Sequence, residues 1–173
     1  MPVTADSYES KVSEAAVALL AACAAFRTLT GTATTAAAKG RVLEDWAGRD
    51  DAPGGVDFRA SDGSALSINA TFAAVRVTDT QSEQRAHGTW GRRGTVLVVI
   101  FMKGTATDTP AEAFRRARNA QGAIRAEMEA QIGGAATFAW AEIRTEQIVQ
   151  DDDTGCFRGF YQIPLTIEWR DCP

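Results

Sequence analysis

Three consecutive carboxylates, Asp151, Asp152 and Asp153, are the residues whose type most directly suggests chemistry, because together they carry enough charge to hold calcium or magnesium. Their spacing argues against it. Neighbours on an extended chain point to opposite sides, and the alternate-position ligands and closing glutamate of a calcium loop are missing. A solvated hairpin turn ending at Gly155 accounts for them better, and no metal is expected. Cys23, Cys156 and Cys172 are odd in number, lack a paired spacing and have no histidine cluster beside them. That speaks against a disulfide framework and a zinc site alike. His87 is the single histidine and lies in the polar run Gln84-Arg85-Ala86-His87-Gly88, so a Ser/His/Asp or Cys/His system would have to use a loop residue. No catalytic residue and no cofactor site is expected, and the chain reads as a protein that is not an enzyme.

Arginines form two groups, Arg92 with Arg93 and Arg115, Arg116 with Arg118. A phosphate site would need backbone donors from a glycine-rich loop entering a helix, but the nearby helix starts at Thr109-Pro110 and carries Glu112 in its first turn. These cations read instead as a solvated face or as subunit contacts. Trp90, Trp140 and Trp169 suggest ligand stacking, yet aromatic residues in strands usually pack on cross-strand neighbours or at interfaces. Leu20-Ala21-Ala22-Cys23 has the look of a lipoprotein cleavage box, but Asp6, Glu9 and Glu14 outnumber Lys11 ahead of it, so Cys23 is expected to be a buried small apolar residue.

With 173 residues and 45% of them apolar, the chain has material for one sizeable core, and a single domain is expected. A net charge of −4 offers no basic patch for a phosphate backbone, so nucleic acid is not an expected partner, and the apolar run Ala15 to Phe26 is too short to span a bilayer, so no membrane is expected either.

The elements that would position these residues follow from periodicity. Asp6 with Glu9 reads as a capping box, and Val12, Ala16, Leu19, Cys23 and Phe26 continue at helical spacing until Thr30-Gly31, which predicts one amphipathic first helix. Thr32 to Ser64 reads as a long loop with a short helix inside Ala36 to Trp46. Leu66, Ile68, Ala70 and Phe72 alternate, and Val75 and Val77 follow out of phase, which predicts a strand with a bulge near Ala73-Ala74. Thr78 to Gly94 is polar. Thr95 to Met102 is nearly all apolar and valine-rich, a strand buried on both faces. Thr109-Pro110-Ala111-Glu112 opens a helix in which Phe114, Ala117, Gln121, Ile124, Met128 and Ile132 share a face, and Gly133-Gly134 closes it. Strands follow at Phe138 to Val149 and Arg158 to Arg170, with Pro164 marking an edge or a bulge in the second. The predicted class is α+β: an antiparallel-rich sheet of about four strands with two helices on one face.

From about Thr89 to Arg170 this order resembles the tail terminator family of long-tailed bacteriophages. The resemblance lies in the apolar strand Thr95 to Met102, Asp108-Thr109-Pro110 ahead of the helix Ala111 to Ile132, the acidic turn Asp151-Asp152-Asp153-Thr154-Gly155 and the strand Phe160 to Trp169. The first helix fits too, as does Gly40-Arg41-Val42 ahead of Ala73-Ala74-Val75-Arg76-Val77. What the resemblance implies is a soluble structural virion protein, assembled in the host cytoplasm and placed at the head-proximal end of the tail. Its partners would be its own copies in a hexameric ring, the tail tube protein and the head-tail connector protein, and its job to end tube polymerisation. A neighbouring neck or tail-completion protein is the alternative within that setting; a small metal-assisted binding or hydrolytic domain is the alternative outside it.

The expected partner contacts are Asp151, Asp152, Asp153, Arg92 and Arg93. Exposed aspartates at a turn contribute little to stability but steer a partner through a salt-dependent field. Converting Asp151, Asp152 and Asp153 to asparagine should leave the melting temperature nearly unchanged and weaken capture of tube or connector at low salt. Tail lengths made with the variant are the readout, and uniform lengths with an unchanged salt dependence would reduce the tip to a solvated turn.

Overall fold

The computed structural model describes residues 8–44, 60–62, 64, 66, 69–84, 88, 90–132, 138–150 and 159–171. Its elements are α1 (Tyr8–Ala22), α2 (Ala24–Thr30), α3 (Thr35–Lys39), β1 (Val42–Glu44), β2 (Phe72–Gln84), β3 (Trp90–Lys103), α4 (Pro110–Gln131), β4 (Phe138–Thr145), β5 (Val149–Gln150) and β6 (Phe160–Asp171). One sheet runs β1-β2-β3-β6-β4, with β5 also pairing to β6. The class is α+β as predicted, but the sheet is mixed, with six strands and β1 parallel to β2.

Strand alternation divides the apolar residues between two faces. Val75, Val96, Val98, Ile100, Ile163, Leu165 and Ile167 face the helices and join Leu20, Phe26, Ile124 and Met128 in the main core. Phe72, Ala74, Phe101 and Phe160 point the other way into a smaller cluster with Leu43, Ala60 and Leu66, where Phe72 and Phe101 stack at 4.8 Å. Four consecutive residues, Phe72 to Val75, are therefore buried. The phase slip read as a bulge at Ala73-Ala74 is instead a strand covered on both faces. The register shift lies further on, between Val77 and Asp79. Leu66 is buried but precedes the strand, and Ile68 lies outside the described residues.

The first helix is two. Cys23 is extended, at φ −65° and ψ 124°, and α1 and α2 meet at 78°. Cys23 provides no side-chain cap for α2; Glu127 of α4 does, its carboxylate accepting from the amides of Ala24 and, at 3.1 Å, Ala25. A helix start thus depends on a residue about a hundred positions away, which local spacing cannot reveal. Asp6 lies outside the described residues. No single described helix is long and apolar enough to cross a membrane.

The predicted helix within Ala36 to Trp46 shrinks to α3, capped by Thr34, and the chain then forms β1. Ser61 donates to the Val42 carbonyl at 2.7 Å, bringing the far end of the long connection back to that strand. α4 has the predicted capping box at Thr109 and Glu112 and ends at Gln131, with Ile132 as its extended C-cap, while Gly133 and Gly134 are outside the described residues. Pro164 is in an inner strand, not at an edge. Its carbonyl accepts from Glu146 at 3.4 Å and from the Gln121 amide at 3.1 Å, in the gap between β4 and β5. Since N–H and C=O of one residue in an antiparallel strand face the same neighbour, the rung that Pro164 cannot make is the one to the Glu146 carbonyl, and the Gln121 amide donates to that carbonyl at 3.0 Å in its place.

Hydrogen bonds to a charged acceptor contribute about 1.5–3 kcal/mol. Glu127→Ala should therefore lower the unfolding free energy by an amount of that order in urea titration, and Glu127→Gln, whose amide oxygen still accepts, should recover part of it. An alanine variant as stable as the parent would show that α2 does not need this cap.

Candidate partner interface

Beyond Val77 the polar stretch carries no hydrophobic alternation, yet Thr78 to Gln84 and Trp90 to Gly94 form strand. Asp79 to Gln84 pairs with Thr95 to Trp90, and β6 accompanies β3 only as far as Arg93, opposite Arg170. Ser82 to Gln84 and Trp90 to Arg92 therefore pair only with each other among the described residues, as a two-stranded arm projecting past the sheet. Gly88, at φ +76°, lies in its turn. Thr78 is the extra residue of a bulge, which bends the strand and strengthens its twist. The bulge brings the Asp79 carbonyl against Gly94, where an added Cβ would stand 1.9 Å from that oxygen. Only glycine fits.

The arm's side chains are polar or aromatic. Arg93 reaches Glu83 at 3.5 Å and Gln81 at 3.5 Å, and Gln81 donates to Asp79 at 3.0 Å. At its root a shallow cavity of about 370 Å³ is lined by Asp79, Glu83 and Glu168 together with Arg93 and Arg170. Acidic side chains outnumber basic ones there by three to two. Close by, Arg144 bridges Glu142 at 3.0 Å and Glu168 at 2.6 Å, and its hydrogen bond and charge hold the Glu142 carboxyl below its ordinary value. A carboxylate held ionised in this way is a structural ion, not a poised acid. Trp90, at the start of β3, is 68% exposed.

Of the predicted contacts, Arg92 is exposed on this arm and Arg93 at its root, while Asp151, Asp152 and Asp153 lie outside the described residues, as do His87, Cys156 and Cys172. The tryptophans separate. Trp140 and Trp169 are buried opposite one another in β4 and β6, as cross-strand packing predicts, and Trp90 is the solvent-facing one. Arg116 is tied to Asp108 at 2.7 Å and to the Lys103 carbonyl at 3.3 Å, fastening the loop ahead of α4, whereas Arg115 and Arg118 are exposed. Cys23 is fully buried; burial first, and then the Glu127 charge, push its thiol up to about 12, so it stays protonated at neutral pH. Among the described residues no group of three His, Cys, Asp or Glu could hold a metal ion.

Periodicity gave no sign of a groove of about 530 Å³ between α2, α4 and the end of β3. Its floor includes Leu29, Met102, Ala120 and Ala123, with Lys103 and Arg116 at the rim. Small residues on α4 leave the space open, and only the helix packing turns them into a groove.

No protein-family model and no curated protein matches the chain. Among solved structures, it is similar to a chain of the virion of a native gene transfer agent particle, at 14% identity and a TM-score of 0.48, covering 95% of this chain and 98% of that one. At such values the function has to be argued from this chain's own geometry.

Because Trp90 is exposed and Gly94 is enclosed, the two separate binding from folding. Trp90→Ala should leave the melting temperature within about 0.5 kcal/mol of the parent in free-energy terms, as surface substitutions do. Gly94→Ala should destabilise by several-fold more, since backbone must move. Equal melting curves for the two variants would show that the bulge does not anchor the arm.

Proposed function

We propose that the chain is a structural virion protein of a phage-like particle, whose copies form a ring on the end of a tail tube, stop its polymerisation and offer a surface for joining the head. The observation that carries this reading is the projecting arm with exposed Trp90 and Arg92, and Arg93 exposed at its root. Tryptophan and arginine dominate the energetics of protein interfaces, and an arm held on a rigid sheet places them clear of the body. The order of β3, α4, β4 and β6 supports it through the resemblance to tail terminators. Such work requires self-association and two partner surfaces, and no catalytic group.

Polymerising tube protein supplies the test. Added to growing tubes, the purified chain should arrest elongation at a stoichiometry of a few copies per tube end, and electron microscopy should show a terminal ring. Tubes that elongate at the same rate and to the same lengths with and without the chain would overturn the proposal.

A further inference from the structure

The exposed indole of Trp90 and the apolar groove between α2 and α4 lie at opposite ends of β3: Trp90 opens the strand, and Met102 and Lys103 close it at the groove. Twelve residues of strand separate them by ~40 Å at about 3.3 Å each. By alternation Trp90 falls on the same side of β3 as Val96, Val98, Ile100 and Met102, the side on which the helices and the groove lie. One chain cannot bring the two together. A second copy can.

We propose that Trp90 of one copy seats in the groove of the next, and that this head-to-tail contact is the one that builds the ring; the inference rests on the ring reading given above. The chemistry of the groove fits an indole. Leu29, Met102, Ala120 and Ala123 give an apolar floor, and its ~530 Å³ is within the range of ~300–1,000 Å³ typical of clefts that enclose small ligands. Lys103 and Arg116 at the rim, which also hold the Asn69 carbonyl and Asp108, are cations of the kind that the negative face of a tryptophan ring attracts. The contact is heterologous, because arm and groove are different surfaces, and repetition of a heterologous contact gives a ring when its rotation closes. An indole buries ~150–250 Å², far below the ~1,200 Å² of a stable pairwise interface. A single contact is therefore weak, and copies gather at high concentration or on a template.

Two variants of the full chain test the pairing. Trp90→Ala removes the knob, and Ala123→Glu, at an exposed position of α4, puts a carboxylate in the groove that repels the ring face. Circular dichroism and melting should match the parent for both. In sedimentation equilibrium over a wide concentration range, the parent should gain mass with concentration while each variant alone stays at monomer mass. An equimolar mixture should stop at a pair, because the intact arm of Ala123→Glu enters the intact groove of Trp90→Ala and no site is left to continue. A Trp90→Ala variant that associates as the parent does, or a mixture that stays monomeric where the parent associates, overturns the contact. So does a parent that is monomeric throughout yet needs Trp90 to bind tubes, which would give the arm to the tube protein. A parent that stops at a closed pair keeps the Trp90 contact and sinks the ring.

Discussion

The antiparallel pairing of β3 with β6 is the constraint on which the other elements depend. Val96 opposes Ile167, Val98 opposes Leu165 and Ile100 opposes Ile163, all fully buried on the helix side. A shift of one residue would turn every one of them to the opposite face, so hydrophobic burial, at ~1.5–3 kcal/mol for each large aliphatic side chain, fixes the register strongly. β2 and β4 are then placed on either side of this pair, and α4 lies across it through Ala117, Ile124 and Met128. The position of α4 decides the position of Glu127, and Glu127 decides where α2 begins. Even the bend at Cys23 is thus a consequence of central strand register.

Burial changes along the length of the sheet. At the end of β3 near Phe101 both faces are covered, with the aromatic cluster of Phe72, Phe101 and Phe160 on one and the main core on the other. Towards Trp90 the covering falls away: Leu97 and Val99 are half-buried, Arg92 and Arg93 exposed. An isolated two-stranded ribbon is marginal in water, so the arm depends on the buried part of the same strands for its order. The bulge at Thr78 marks the change, and Gly94 is the residue that lets the two strands stay paired through it. One pair of strands thereby serves as core at one end and as an adaptable surface at the other.

How much of this could be read from the sequence depends on where the cause of each feature lies. α4 was fully readable, because Thr109, Pro110 and Glu112 act on their own first turn and its buried face repeats at helical spacing. The alternation in β6 was readable for the same reason: Ile163, Leu165 and Ile167 all face one core. The arm was not, since a ribbon wet on both faces leaves no hydrophobic period, and its hydrogen bonds are invisible in side-chain chemistry. Four buried residues from Phe72 onward looked like a slipped phase because two cores claim alternate residues. The α1–α2 break and the groove share a further reason: both arise where α4 meets α2, a contact between segments about a hundred residues apart. Of the candidate contacts, Arg92 and Arg93 were named by residue type and are exposed, and Trp90 was noticed without being distinguishable from Trp140 and Trp169 until burial separated them.

That separation bears on what kind of molecule this is. Trp90 is two-thirds exposed on a polar ribbon and has no part in either core cluster. The groove between α2 and α4 is likewise a place where larger side chains than Ala120 and Ala123 would have filled space and added burial. One feature exposes apolar surface and the other leaves it uncovered. In the contact proposed above one copy would cover the other, and because the two features sit at opposite ends of β3 each copy would need a neighbour at each end. A series of such contacts has no free ends only when it closes on itself, which is the physical content of a ring.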